Sequence, residues 1–155
     1  MALNVSSSAF EPGERIPQRH TCDGEDLSPP LAWHEVPEGT EEVILICEDP
    51  DAEGGVFTHW LLYGISPLRE TLPEGLDRRP RLSWGALQGR NDLGGIGYRG
   101  PCPERGPDAH HYQFRLFALD EALDLPPGVN REQLISYVER HAIERATLIG
   151  TYQRP

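Results

Sequence analysis

The sequence predicts a mainly β fold, and three observations carry that prediction. Glycine and proline number 16 and 15 among 155 residues, which marks a chain of many turns rather than a bundle of long helices. Apolar runs rich in β-branched and aromatic residues, notably residues 43–47 and the run that opens at Val56, have the length and character of strands. One segment alone, residues 131–141, is read as an amphipathic helix.

Taken in order, a short strand is expected near residues 3–5, followed by a polar turn at Pro12-Gly13. Residues 21–30, from Thr21 to Pro30, have the composition of a loop, and Ser28 to Trp33 lead into a second short strand. Pro37, Glu38, Gly39 and Thr40 form a turn before the apolar strand 43–47. Asp49 and Asp51 flank Pro50, which lacks an N–H and fixes φ, so sheet pairing should stop there. Gly54 and Gly55 then turn the chain into a second strand that carries His59, Trp60, Leu61, Leu62 and Tyr63. This hairpin should bring Asp49 and His59 to the same end of a sheet.

Residues 66–94 form a long polar connection with a basic cluster of Arg78, Arg79 and Arg81. Such a length is expected to be functional, mobile, or to hide a short element, which we place near residues 84–87. Gly95, Gly97 and Gly100 have the G-x-G-x-x-G spacing, but Pro101 and Pro103 forbid the helix that a dinucleotide site requires, so that match is spurious. Residues 110–119 alternate as a long strand, with His110, Tyr112, Phe114 and Leu116 on one face and His111 on the other. Asn130 with Gln133 has the form of a capping box, and Leu134, Ile135, Val138 and Ala142 make the apolar stripe of the helix that follows. A last strand is expected over residues 146–152.

Residues 1–155 have the size of one domain with a substantial core. With 14 basic and 25 acidic residues the formal charge is −11, a field that repels nucleic acid and anionic membrane surfaces. No segment approaches an integral membrane span, and the N-terminus has no secretory pattern, so a cytoplasmic location is expected. Cys22, Cys47 and Cys102 are odd in number and lack C-x-x-C spacing, which argues against structural zinc and a full disulfide framework. Cys102, between two prolines, reads either as an accessible thiol or as a small buried residue.

Two constellations bear chemistry. In the first, Asp49 or Asp51 accepts one imidazole N–H of His59 and sets its tautomer, leaving the other ring nitrogen for a ligand; alternatively the aspartates cap a turn and His59 sits in the core. In the second, His110 and Tyr112 point from one strand face toward a glycine-rich loop whose backbone N–H groups could cradle an oxyanion; alternatively the strand simply packs its aromatic face. A metal cluster of His59, His110, His111, Asp49 and Asp108 lacks ligand spacing, so no metal or other cofactor is expected. No G-x-S-x-G elbow or Walker sequence is present, and no catalytic motif is recognised.

Asp49-Pro50-Asp51, His59-Trp60, the run from Gly97 to Pro103 and the run from His110 to Phe114 together resemble the signature blocks of the phosphatidylethanolamine-binding protein family, that of the Raf kinase inhibitor protein. Ser28 to Leu31, Asn91-Asp92 and Ala118-Leu119-Asp120 are similar to its small bacterial branch, and the resemblance runs from Ile16 to Tyr152. It implies antiparallel sheets of Greek-key character with few helices, and a pocket at one end for phosphate-like anions such as phosphorylethanolamine. Carried over by position, the ligand-binding residues are Asp49, His59, Gly100, Pro101, His110 and Tyr112, with Asp51, Glu53, Cys102 and His111 at the rim. Three positions depart from the family pattern. Glu53 and Glu104 stand where proline is usual, and His111 where arginine is usual.

The expected function is therefore binding rather than turnover. A small anionic ligand would accept hydrogen bonds from His59, Tyr112 and backbone N–H groups near Gly100–Cys102, while Asp49 orients a histidine or accepts from a ligand amine. Two other classes stand beside it: regulation of a kinase or protease through the pocket rim and the Arg78–Arg81 loop, and acid–base catalysis by Asp49 and His59 on a phosphorylated small molecule.

Overall fold

The computed structural model describes residues 2–155. Strands β1 (Asn4–Ser6), β2 (Leu31–His34) and β5 (Thr71–Leu72) make a small antiparallel sheet. Strands β3 (Glu42–Asp49), β4 (Phe57–Ile65), β6 (Leu87–Gln88), β7 (His110–Leu119) and β8 (Ala142–Tyr152) make a larger one in the order β6-β4-β3-β7-β8, also antiparallel. Helix α1 (Arg131–His141) connects β7 to β8. The mainly β expectation holds.

Strand β3 is central, and all eight of its residues are buried. Alternate side chains divide between two cores. Val43, Leu45 and Cys47 pack with Leu31, Trp33 and Leu72 of the small sheet. Ile44 and Ile46 pack with Leu134 and Val138 of α1. A strand covered on both faces reads as a continuous apolar run, which is why residues 43–47 do not alternate. Each such side chain contributes about 2 kcal/mol on burial.

Helix α1 begins where its capping box begins: Gln133 N–H donates to Asn130 Oδ1 and Asn130 N–H to Gln133 Oε1, both at 2.9 Å. It is tied to the sheet by Glu48, which accepts from Arg115 at 2.6 Å and from Arg131, the first helical residue, at 2.7 Å. The last strand starts at Ala142 rather than 146, because the helix passes straight into extended backbone and Ala142 already pairs with Leu119. The long connection 66–94 holds β5 and β6, the latter beginning at the last residue of the short element expected over residues 84–87.

The cysteine expectation needs correcting. Cys22 and Cys102 form a disulfide across 80 residues of sequence, and Cys47 is the free, buried thiol. An odd count rules out pairing every cysteine but not pairing two. Cys102 is thus neither an accessible thiol nor a buried residue; it is exposed and cross-linked. Among the described residues no helix is long and apolar enough to cross a membrane.

Candidate functional site

The site is built on an irregularity in the β3–β4 hairpin. Cys47 pairs with Trp60 but Glu48 pairs with Thr58, so His59 is an extra residue with no partner in the ladder. In regular alternation His59 would share the helix-side face with Leu61 and Tyr63. The bulge lets it join the opposite face, where its ring meets the Tyr112 ring edge-on at 5.3 Å. Asp49, at the end of β3, pairs with Phe57 at the start of β4, as the hairpin reading expects.

The hydrogen bonds differ from the expected ones. His59 does not bond to either aspartate; its Nδ1–H donates to the Arg99 carbonyl oxygen at 2.6 Å. Asp49 instead accepts from His110 Nδ1 through Oδ2 at 2.7 Å, and from the Asp51 N–H through Oδ1 at 2.8 Å. Asp51 in turn accepts from both the backbone and the ring of His111, at 2.8 and 2.7 Å. The His111 hydrogen bond, foremost, holds the Asp51 carboxyl below its ordinary value. Asp49 and His59 are therefore not an acid–base dyad, and each β7 histidine has its own aspartate.

The glycine loop is strapped to residues 18–27. Tyr98 O–H donates to the His20 carbonyl at 2.6 Å, Cys22 N–H to the Pro101 carbonyl at 3.1 Å, and Gly100 N–H to Asp26 Oδ1 at 2.7 Å. A Cβ at Gly100 would lie 2.0 Å from the His20 carbonyl oxygen, so only glycine allows this approach. Much of the loop's donor capacity is consequently spent within the protein. The N–H groups of Gly97, Arg99 and Gly100 are engaged by Gly89, His59 and Asp26, and Pro101 has none. Arg78, though exposed, is also tied to the loop, its Nε–H donating to the Tyr98 carbonyl at 2.8 Å.

Above these residues opens a cavity of about 790 Å³. Of the residues singled out in the sequence, Asp49, His59, Gly100, His110, Tyr112, Asp51, Glu53, Cys102 and Glu104 line it. Pro101 lies behind it, buried, and His111 stands outside it against Asp51. Sequence reasoning missed Asp26, Phe57, Leu93 and Arg99, which also line it. Trp60 and Phe114 are wholly buried in the core.

The floor presents polar atoms that no other described residue engages. Tyr112 is 1% exposed and its hydroxyl has no partner among the described residues; burial raises its pKa above the ordinary value. His59 is 4% exposed, and burial, outweighing the Arg99 hydrogen bond and nearby carboxylates, lowers its pKa. The lining has five carboxylates, Asp26, Asp49, Asp51, Glu53 and Glu104, against the single guanidinium of Arg99, which sits 3.2 Å from Asp26. Among the described residues no three His, Cys, Asp or Glu side chains gather as a metal site.

The family model for phosphatidylethanolamine-binding protein matches residues 6–153. The chain is 47% identical to the UPF0098 protein of Methanothermobacter thermautotrophicus over 152 residues, 98% of this chain and 99% of that relative. It is 45% identical to the UPF0098 protein of Aquifex aeolicus over 153 residues, 98% of this chain and 89% of that one. Among solved structures it is similar to E. coli YbcL, with a TM-score of 0.91, 33% identity and 100% coverage of both chains. It is also similar to the phosphatidylethanolamine-binding protein homolog CT736 from Chlamydia trachomatis, with a TM-score of 0.88, 39% identity and 99% coverage of each.

Proposed function

The chain belongs to the phosphatidylethanolamine-binding protein family, and we propose that its cavity binds a small ligand with a phosphate-like anionic group, phosphorylethanolamine being the type. The observation that carries this reading is the convergence of Asp49, His59, His110 and Tyr112 on one cavity, where the Tyr112 hydroxyl has no partner among the described residues and is open to a ligand. That hydroxyl can donate to an anion's oxygen, and a hydrogen bond to a charged group is worth about 1.5–3 kcal/mol. The rim carboxylates Asp51, Glu53 and Glu104 suit a ligand that also carries an ammonium group. The function is binding without turnover.

Calorimetric titration with phosphorylethanolamine, on the wild type and on Tyr112→Phe, tests it. Saturable binding that weakens about tenfold in the variant, about 1.4 kcal/mol, supports the reading. No binding to the wild type at millimolar ligand removes it.

A second reading, regulation of a kinase or protease by contact at the rim, is favoured by one observation. Val56 and Leu93, 46% and 60% exposed, lie beside Phe57 and the cavity lining. Affinity capture with wild type and Leu93→Ser checks it. A partner held by the wild type and lost by the variant supports this reading, and identical captures count against it.

A further inference from the structure

Cys22 and Cys102 are both exposed, and exposed disulfides are the ones that thiols reach and exchange. Both line the cavity, Cys22 from the 18–27 strap and Cys102 from the glycine loop. The hydrogen bonds that join these segments all come from the loop before Cys102: Tyr98 O–H to the His20 carbonyl, Gly100 N–H to Asp26, and the Pro101 carbonyl from Cys22 N–H. After Cys102 the next backbone N–H of the loop to be engaged is that of Gly106, on the Arg154 carbonyl at 2.9 Å. The disulfide is therefore what holds residues 102–104 against the cavity. It also fixes a donor, because the Cys102 N–H lies between two prolines and no described residue engages it. With the Tyr112 hydroxyl and the Arg99 guanidinium, that N–H is available to an anion in the cavity.

We propose that the Cys22–Cys102 bond is a thiol–disulfide exchange site for a dithiol, and that its state sets how tightly the cavity holds an anion. The second clause rests on the binding reading above and deepens it. One thiolate of the dithiol attacks Cys22 Sγ, which forms a mixed disulfide and expels Cys102 as a thiolate. The second thiolate of the reductant then attacks the reductant's own sulfur in that mixed disulfide and releases Cys22. Two electrons pass to the protein, the reductant departs as a disulfide, and its protons end on the two cysteines. Arg154 makes Cys102 the better leaving group: its Nη1 lies 3.8 Å from Cys102 Sγ, and a guanidinium there stabilises a thiolate. An ion pair with Asp23 at 3.0 Å keeps Arg154 in place when the bond opens. Cys47 takes no part, since it is buried, and burial together with Glu48 and Asp49 pushes its thiol up. Reduction leaves the hydrogen bonds of residues 98–101 intact, so the fold persists while the Cys102 N–H loses its fixed position.

The intact protein is equilibrated with dithiothreitol under native conditions, alkylated with iodoacetamide and mapped by mass spectrometry. Both redox states are then titrated with phosphorylethanolamine by calorimetry. Alkylation is expected on Cys22 and Cys102 and not on Cys47, with the circular dichroism of the folded chain retained. The reduced protein should bind about tenfold more weakly, as loss of one N–H donor to a charged group requires, and reoxidation should restore the affinity. By reciprocity, saturating phosphorylethanolamine should shift the dithiothreitol equilibrium about tenfold toward the disulfide. Glutathione, a monothiol, should be trapped on Cys22, with the alkyl group on Cys102.

Equal affinity in the two states, or a bond that opens only as the circular dichroism of the fold is lost, overturns the proposal and leaves the binding reading standing. Glutathione on Cys102 overturns the role given to Arg154. Absence of phosphorylethanolamine binding in both states removes the binding reading and the coupling with it, and alkylation of the native protein then decides the exchange site by itself.

Discussion

His59 and Arg99 grip each other twice: the Arg99 N–H donates to the His59 carbonyl at 3.1 Å, and the Arg99 carbonyl accepts from the His59 ring at 2.6 Å. The His59 carbonyl, like that of Leu61 which accepts from Gly89, faces the side of β4 away from β3. The second closes the loop onto the strand through a side chain. A residue 40 positions away thereby holds the glycine loop at a fixed distance from the cavity floor.

The buried imidazole makes stability depend on pH. Its pKa is lowered in the folded state from an ordinary 6.5, so between the two values the unfolded chain binds more protons. The stabilisation is fully present above about pH 6.5 and is lost as the pH falls toward the folded value. Urea midpoints at about pH 5 and about pH 7.5 should differ more for the wild type than for His59→Gln. Equal slopes would assign the effect elsewhere.

The Cys22–Cys102 bond closes an 80-residue separation, for which loop-closure entropy predicts a contribution of about 4 kcal/mol. Denaturation of Cys22→Ser/Cys102→Ser, or of the wild type under a strong reductant, should show a loss of that order. Because both cysteines line the cavity mouth, ligand binding should weaken with it.

Gly100→Ala should be severe for its size. The new methyl group meets a backbone oxygen rather than a flexible side chain, so either the 18–27 strap moves or Asp26 releases the loop. A loss of about 2–3 kcal/mol in chemical denaturation is expected, together with loss of binding. Gly106→Ala, where nothing lies within 4 Å of the added atom, is the control and should change little.

Glu48 is buried between two arginines, one from β7 and one from the start of α1. Glu48→Ala leaves both guanidinium groups short of their partner and should cost about 3 kcal/mol. A double-mutant cycle with Arg131→Met should give a coupling above about 1 kcal/mol, and additivity would show that the helix is held by its apolar stripe alone.

The sequence made the strands and the helix legible wherever local chemistry decides them. Residues 110–119 alternate and are β7 to the residue; Asn130 and Gln133 announce a box that the helix uses. Asp49, His59, His110 and Tyr112 also read as neighbours: hairpin geometry puts them at one end of the sheet and parity puts His110 with Tyr112, while the bulge brings His59 to their face. Which aspartate meets which histidine did not, since the exchange of His59 for His110 at Asp49 depends on a one-residue bulge that no residue type marks. Asp26 and Arg99 were missed for a related reason. Their roles come from loops 73 residues apart in sequence (99 − 26), brought together by the strap, and nothing near either residue signals the contact.

The bulge also separates two parts of the pocket that could otherwise vary only together. The hairpin tip beyond Asp51 supplies Ala52 and Glu53 to the mouth, whereas His59 is placed by the register shift deeper in the strands. Lengthening, shortening or replacing the tip leaves the imidazole where it is. Deleting Thr58 restores regular pairing, sets His59 opposite Glu48 and carries the imidazole to the other face. Entry and recognition are thus modular: a grafted tip can change what is admitted while the chemistry met at the bottom stays the same.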